Sequence, residues 1–186
     1  NICIKNNILV ISDEIHCDLI MPGFKHVCFP TISEEFAQNS ITGLAASKTF
    51  NLAGLHQSSI IIPNAVLKQE LSSQIENLGF TNSIGGTLFG AISAAAAYND
   101  AEPWLDDLII YLNDNFMYLK NYIETQLPGT KVYDLQGTYL VWVDFRKFGW
   151  DCNKIIQILE EDAKVALDHG NWFGENGAGF ERFKDR

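Results

Sequence analysis

Apolar residues form short continuous runs and helical stripes in the first part of the chain. Residues 8–12 and 58–62 are runs typical of buried strands, and residues 39–42 predict a short strand between them. Apolar positions three and four apart predict a helix over residues 65–77 and a longer one over residues 103–126, with Pro103 in its first turn. Strands that alternate with helices predict an α/β arrangement.

The remaining segments complete the predicted order of elements. Residues 87–98 are rich in alanine and predict a helix buried against close neighbours. Pro128 and Gly129 end the long helix and mark the predicted domain boundary. Beyond them we expect strands 131–134 and 138–145, a helix 153–162, and strands 163–167 and 179–184. The chain is therefore predicted to hold part of a large α/β domain over residues 1–128 and a small α+β domain over residues 129–186.

Charge and cysteine usage narrow the classes of function. The 186 residues include 13 lysines and arginines against 23 aspartates and glutamates, a formal net charge of −10. Phosphate contacts need clustered cations, so we expect neither a nucleic-acid partner nor a membrane partner. No apolar run approaches the ~20 residues that span a bilayer. The four cysteines lack the C-x-x-C spacing, so we expect no metal site, and scattered thiols favour the cytoplasm.

Two places in the first part of the chain combine residues that could carry chemistry. Asp13 and His16 follow a predicted buried strand, whose carboxyl end faces the ligand crevice in open α/β sheets, although an aspartate there can equally cap the loop. Lys48 lies among small and apolar residues beside Ser47. Burial makes a lysine amine nucleophilic, whereas an exposed loop lysine is the commoner case.

A third candidate lies near the end of the chain. Residues 170–182 contain four glycines, which indicate a loop with tight backbone constraints, and Arg182 follows inside the last predicted strand. A guanidinium there can hold a carboxylate through two parallel hydrogen bonds. The alternative is an ordinary exposed arginine on an edge strand.

In this order along the chain, the three candidates resemble the fold-type I pyridoxal 5′-phosphate (PLP) enzymes, the aspartate aminotransferase superfamily. Within it they are similar to the MalY/PatB group of cystathionine β-lyases. The resemblance runs along nearly the whole chain, and its segments are residues 12–16, 47–55, 96–98, 104–115, 137–144 and 173–182.

The resemblance implies a mostly parallel sheet with helices, PLP as cofactor and a role for each candidate residue. Lys48 would be the catalytic residue, binding PLP covalently and moving the substrate's α-proton. Asp13 would pair with the pyridine nitrogen. His16 would lie near the cofactor's 3′ oxygen, and Ser47 would help to hold the phosphate. Arg182 would bind the α-carboxylate of an amino-acid substrate.

The chain also departs from the family pattern. Family members carry a further N-terminal half, with a phosphate-binding loop and an aromatic residue that stacks on PLP, and they continue beyond the residue matched by Arg182. Some aminotransferases have a phosphate-binding arginine where this chain has His56. We therefore expect a C-terminal portion of a PLP enzyme, with weak PLP binding and little activity on its own.

Three functions fit these residues. The first is β-elimination from a sulfur amino acid such as L-cystathionine or L-cysteine, giving pyruvate, ammonia and a thiol. The second is transamination on the same scaffold, and His16 with residues 47–55 favours the lyase. The third is a non-catalytic split or degenerate remnant, which the retained Asp13, Lys48 and Arg182 disfavour. Members of this superfamily are typically homodimers, so self-association is expected.

Overall fold

The computed structural model describes residues 1–79 and 87–184. The chain divides into two compact units, Asn1–Ile20 with Phe24–Asp107 and Met21–Gly23 with Leu108–Arg186. Residues 185–186 of the predicted small domain lie outside the described residues, and the boundary predicted at residues 128–129 stays a prediction. Both units combine helices with strands, which confirms the mixed α/β class.

The helices and strands of the described residues follow each other in this order. The helices are α1 (Ile2–Lys5), α2 (Glu34–Gln38), α3 (Ala46–Thr49), α4 (Ala65–Asn77), α5 (Leu88–Asp100), α6 (Glu102–Gln126) and α7 (Cys152–Ile156), which continues into a π-helical stretch, Gln157–Asp162. The strands are β1 (Val10–Asp13), β2 (Ser40–Leu44), β3 (Ser59–Ile61), β4 (Lys131–Val132), β5 (Leu140–Asp144), β6 (Asp168–His169) and β7 (Phe180–Lys184).

The first unit contains a sheet of order β1–β2–β3. Strands β1 and β2 are parallel, with Asp13 opposite Gly43, and β3 runs antiparallel to β2. Parallel neighbours end at the same edge, so the segments that follow β1 and β2 emerge at one end of the sheet. Helix α4 then begins at Asn64, whose side chain accepts hydrogen bonds from the backbone N–H groups of Val66 and Leu67.

Helix α6 confirms the predicted long helix almost residue for residue. It starts at Glu102, one residue before Pro103, where a missing N–H costs nothing. Its apolar stripe is buried or half-buried throughout and consists of Leu105, Leu108, Ile109, Leu112, Phe116, Leu119 and Ile123. No helix among the described residues is both long and apolar enough to cross a membrane.

The second unit contains an antiparallel sheet of order β4–β5–β7–β6. Along β5 the apolar Val141 and Val143 are fully buried and alternate with half-buried neighbours, as a strand with one covered face requires. Before β7 the chain passes over itself, because Gly170 and Gly177 approach so closely that a Cβ on either would overlap the other's carbonyl oxygen. Only glycine fits at these two positions.

Four sequence expectations are wrong. The runs at residues 8–12 and 58–62 and the helix at residues 87–98 are not buried, since Ile11, Ile60 and Phe89 are 76%, 57% and 72% exposed. An apolar pattern shows which face can be buried, but it does not supply the neighbour that covers it. Residues 163–167 form no strand; Lys164 adopts a left-handed φ of 58°, and the strand begins only at Asp168.

Candidate functional site

Asp13 ends β1 at the carboxyl edge of the first sheet. Its side chain is exposed, and its Oδ1 atom accepts a hydrogen bond of 3.3 Å from the backbone N–H of Ile15. Asp13 faces Gly43 across the parallel ladder, so the chain that leaves β2 towards Lys48 starts beside it. The capping interpretation and the functional interpretation of Asp13 are therefore compatible, because one carboxylate oxygen holds the turn.

Ser47 and Lys48 lie in α3, the single helical turn that follows β2. Ala45, Ala46 and Thr49 are buried around them, whereas Ser47 and Lys48 are half-buried. The Thr49 hydroxyl donates a hydrogen bond of 3.0 Å to Asp18, which ties this turn to the loop after β1. The small residues of the motif let the turn pack tightly, and Lys48 is the third of its four residues.

His16 links these two segments electrostatically. The imidazole is half-buried, and burial is the main cause that lowers its pKa. The positive charge of Lys48 lowers that pKa further, while the negative charge of Asp13 raises it. Asp13, His16 and Lys48 thus form one cluster of interacting groups at the end of the sheet, and Ser47 adjoins it in α3.

Glu14 organises the loop beside this cluster, a role that the sequence analysis missed. Its carboxylate is 5% exposed and accepts hydrogen bonds from the Ser12 hydroxyl, at 2.9 Å, and from the backbone N–H of Phe29, at 2.8 Å. The His26 Nε2 atom lies 2.8 Å from its other oxygen. Burial alone would raise the pKa of Glu14, but these hydrogen bonds outweigh it and lower the pKa. The available signal was a second acidic residue directly after Asp13, where the strand ends.

A cavity of about 150 Å³ lies next to α3 in the first unit. Its polar lining includes Cys17, Asp18, Gln57 and Tyr98, and its apolar lining consists of Leu44 and three alanines. Burial raises the pKa of the Cys17 thiol to about 12, and the nearby Asp18 adds to the effect. Cys17 is therefore a neutral thiol in this state, without the thiolate character of a nucleophile.

Arg182 lies on β7 in the second unit, where Asp168 and Phe173 surround it. Its Nε and Nη2 atoms donate hydrogen bonds of 3.1 and 2.6 Å to one oxygen of Asp168, which lies directly opposite on β6. The guanidinium carbon lies 4.4 Å from the centre of the Phe173 ring. The sequence analysis missed Asp168 because it placed the strand five residues too early.

The face of the sheet beneath Arg182 is aromatic. Trp142 lies opposite Arg182 on β5, meets Phe173 edge to face at 5.6 Å and stacks on Phe180 at 5.4 Å. The guanidinium carbon of Arg146 lies 4.4 Å from the centre of the Phe180 ring. Arg182 therefore lies at one end of a row of three aromatic rings that has Arg146 at its other end. These contacts and Asp168 hold the side chain of Arg182, while its Nη1–Nη2 edge can still receive a carboxylate.

His169 lies beside Asp168 on β6 and bonds to two carboxylates. Its Nδ1 atom lies 2.9 Å from Glu181 and its Nε2 atom 3.0 Å from Glu160. Burial alone would lower the pKa of His169, but hydrogen bonds and charges from both glutamates prevail and raise it. Both ring nitrogens can donate only when the ring is protonated, so this arrangement favours the cationic form of His169.

The family comparison covers the site segments of both units. The model of the aminotransferase class I and II family matches residues 1–183. Among curated relatives, the chain is 37% identical to cystathionine beta-lyase PatB of Bacillus subtilis over 97% of its own length and 46% of that protein. It is 31% identical to the protein MalY of Escherichia coli over 98% of its length and 45% of MalY.

Solved structures of PLP enzymes are also similar to this chain. Cystalysin from Treponema denticola, which contains a PLP cofactor, matches with a TM-score of 0.91 and 36% identity over 99% of this chain and 46% of its own. The PLP-bound C-S lyase from Staphylococcus hominis matches with a TM-score of 0.84 and 31% identity over 98% and 46%. The chain spans about half the length of the relatives that it matches.

Proposed function

Because the chain belongs to the aminotransferase class I and II family, we propose that it is part of a PLP-dependent carbon–sulfur β-lyase. The proposed overall reaction converts L-cystathionine or L-cysteine, with one water, into pyruvate, ammonia and a thiol or sulfide. The observation that carries this proposal is the register of the parallel strands, because Asp13 lies opposite Gly43 where the chain continues into the helical turn that holds Lys48. A carboxylate and an amine therefore follow two neighbouring strands at the same end of the sheet, and the imidazole of His16 lies in the loop after the first of them.

The donor set of the first unit fits PLP. A carboxylate suits the cofactor's protonated ring nitrogen, an amine suits its aldehyde, and a hydroxyl suits its phosphate; Asp13, Lys48 and Ser47 provide them. Two buried oxygen atoms in this unit, Thr42 Oγ1 and Gln57 Oε1, have no hydrogen-bond partner among the described residues. Buried polar atoms normally have one, so this region has unused capacity for a polar group.

Each residue then has one task. PLP, when bound, supplies the electron sink for the electron pair released at the substrate's Cα. Asp13 would keep the ring nitrogen protonated, His16 would lie near the ring's oxygen substituent, and Ser47 would help to hold the phosphate. The Lys48 Nζ atom would take the proton from Cα, and the thiolate would then leave from Cβ. Arg182 orients the substrate by binding its α-carboxylate.

The choice of a lyase over a transaminase depends on the relatives. PatB is named a cystathionine beta-lyase and the Staphylococcus hominis protein a C-S lyase, at 37% and 31% identity. A transaminase would return the Cα proton elsewhere on the same scaffold and would need a keto acid as acceptor. Pyruvate released from L-cystathionine without any added keto acid therefore supports the lyase, and amino-group transfer to an added keto acid supports the transaminase.

A cytoplasmic homodimer completes the proposal. All four cysteines of the chain are free thiols, which suits a reducing compartment. The first unit exposes large apolar side chains such as Ile11, Phe89 and Ile92. Exposed apolar surface of this kind favours association. Sedimentation of the purified chain at several concentrations would test the dimer, and a monomer at every concentration would contradict it.

The test of PLP binding is an absorption spectrum of the chain with PLP. A visible band of lysine-bound PLP is expected in the unchanged chain and in Lys68→Ala, whose lysine lies on the surface of α4. The band should be absent in Lys48→Ala, because only Lys48 is proposed to react with the aldehyde. A band that persists in Lys48→Ala, or is absent from the unchanged chain under saturating PLP, would contradict the proposal for this chain.

A further inference from the structure

A second group of ligand atoms meets in the loop after β1, separate from the lysine proposed to bind PLP. Glu14, His26 and Cys28 each direct one potential ligand atom towards the others, and all three atoms lie within 4.8 Å of one another. They are a carboxylate oxygen, an imidazole nitrogen and a sulfur. Glu14 directly follows β1, and His26 and Cys28 precede the turn at Phe29–Thr31, so the fold joins positions 12 and 14 residues apart in sequence.

The buried carboxylate of this group favours a bound cation. Glu14 is buried, and one oxygen of its carboxylate accepts hydrogen bonds from the Ser12 hydroxyl and the backbone N–H of Phe29. The groups that contact it are a hydroxyl, a backbone N–H, an imidazole and a thiol. A buried carboxylate is normally paired with a cation or coordinates a metal ion. A divalent ion bound by one carboxylate, one thiolate and one neutral imidazole would give a group without net charge.

The spacing fits a tetrahedral ion of the size of zinc. Zinc binds nitrogen and oxygen at about 2.0–2.1 Å and sulfur at about 2.3 Å, so its ligand atoms lie roughly 3.3–3.6 Å apart. The His26 Nε2 and Glu14 Oε2 atoms are 2.8 Å apart around a shared proton. Replacing that proton with zinc would move them apart by about half an ångström. The Cys28 sulfur lies within 4.8 Å of both other ligand atoms, so it would have to move by at most about an ångström to bind the ion.

The surroundings of Glu14 are those of a ligand carboxylate. One oxygen faces His26, and the other is held by Ser12 and the backbone N–H of Phe29. Such outer hydrogen bonds orient the carboxylates that bind metal ions. The side chain of His26 is 31% exposed, so the group can be reached from solvent.

We propose that Glu14, His26 and Cys28 form a binding site for a zinc-type divalent cation, with water as the fourth ligand. The ion would cross-link the end of β1 to the turn at Phe29. Two of the ligands have the soft or borderline character that zinc and cobalt prefer over magnesium and calcium. Binding displaces the thiol proton to solvent, so the affinity falls as the pH is lowered.

The experiment is a titration of the 186-residue chain with Co²⁺, followed by competition with Zn²⁺. We expect one equivalent of cobalt to give visible bands of tetrahedral intensity and a near-ultraviolet band from the thiolate–cobalt bond. Zinc should abolish both. Cys28→Ser should remove the near-ultraviolet band and weaken binding by more than about tenfold, because even outer-sphere partners contribute that much.

Two further variants keep the test decisive. Cys152→Ser removes a half-buried thiol outside the group and should leave the cobalt spectrum unchanged. His26→Gln should weaken binding while far-ultraviolet circular dichroism stays that of the unchanged chain. Absence of the thiolate band, or its persistence in Cys28→Ser, overturns the site and leaves Glu14 with a purely hydrogen-bonding role. Neither result depends on PLP binding.

Discussion

The two units differ in what they bury. Among the described residues, the buried apolar side chains of the first unit are one leucine and four alanines: Leu19, Ala37, Ala45, Ala46 and Ala97. Those of the second unit are mostly large: Met21, Leu112, Phe116, Ile123, Val132, Leu135, Val141, Val143, Phe145, Ile155 and Phe180. The first unit therefore has regular secondary structure with little core, whereas the second has a core of its own.

This difference distinguishes the local features that form a helix or strand from the non-local packing that buries it. Helix α4 forms where its sequence predicts because a cap and a periodic pattern are local features. Burial is not local, and in the first unit the apolar faces of β1, β3 and α5 stay exposed. Stability from the hydrophobic effect follows the area removed from water, so it should be concentrated in the second unit.

The largest expected effect is the loss of the charge pair inside the second unit. His169→Asn leaves the buried Glu181 carboxylate without its cation and should lower the free energy of unfolding by about 3–5 kcal/mol. Urea denaturation followed by tryptophan fluorescence measures it. His56→Asn is the matched control in the first unit, where the exposed side chain predicts a change within about 0.5 kcal/mol. Equal losses of unfolding free energy in the two variants would contradict the proposed difference between the units.

The next effect comes from the apolar core of the second unit. Leu112→Ala removes a fully buried side chain from α6 and should cost about 2–5 kcal/mol of unfolding free energy. Ile110→Ala, on the same helix with 57% of its side chain exposed, should cost less than about 0.5 kcal/mol. Thermal unfolding of both variants tests this, and a loss for Ile110→Ala as large as that for Leu112→Ala would show that α6 buries its other face.

A smaller effect should appear as a dependence on pH. The pKa of His169 is raised in the folded state, so the folded chain holds this proton more tightly than the unfolded chain. The stabilisation is complete below about pH 6.5, the unfolded value, and is lost as the pH rises through the folded pKa. The loss is at most about 1.4 kcal/mol per pH unit.

The check is the difference in unfolding free energy between the unchanged chain and His169→Asn across that range. The difference should shrink as the pH rises from about 6 to 9. Burial raises the pKa of Glu181 despite its bond to His169. Its contribution to stability therefore also falls as the pH rises, but over a lower pH range. A difference that grows with pH would contradict the protonated state assigned to His169.

The smallest effect belongs to the exposed sheet of the first unit. Ile60→Thr keeps the β-branched shape and replaces a methylene-bearing side chain that is 57% exposed. We expect unfolding free energy to change by less than about 0.5 kcal/mol. A loss of more than 2 kcal/mol in the purified chain, measured in the same urea series, would mean that a partner covers β3 in solution.

The sequence predicted the class of fold, the long helix α6 and most strands, because periodicity and breakers are local signals. It grouped Asp13, His16 and Lys48 through motifs, and in the structure both Asp13 and Lys48 affect the pKa of His16. It could not show that Asp168 holds Arg182, since that contact depends on the register between β6 and β7. Nor could it show that Glu14, His26 and Cys28 meet, because a loop of irregular structure joins them.

The crossing of Gly170 over Gly177 also constrains how this sequence can evolve. Each position excludes every side chain because the other's backbone fills the space, so a substitution at one cannot be rescued by a change at the other. Both glycines should be retained in descendants of this gene for as long as the loop before β7 keeps its path. In a library of random variants, these two codons should tolerate fewer replacements than the neighbouring Glu175 and Asn176.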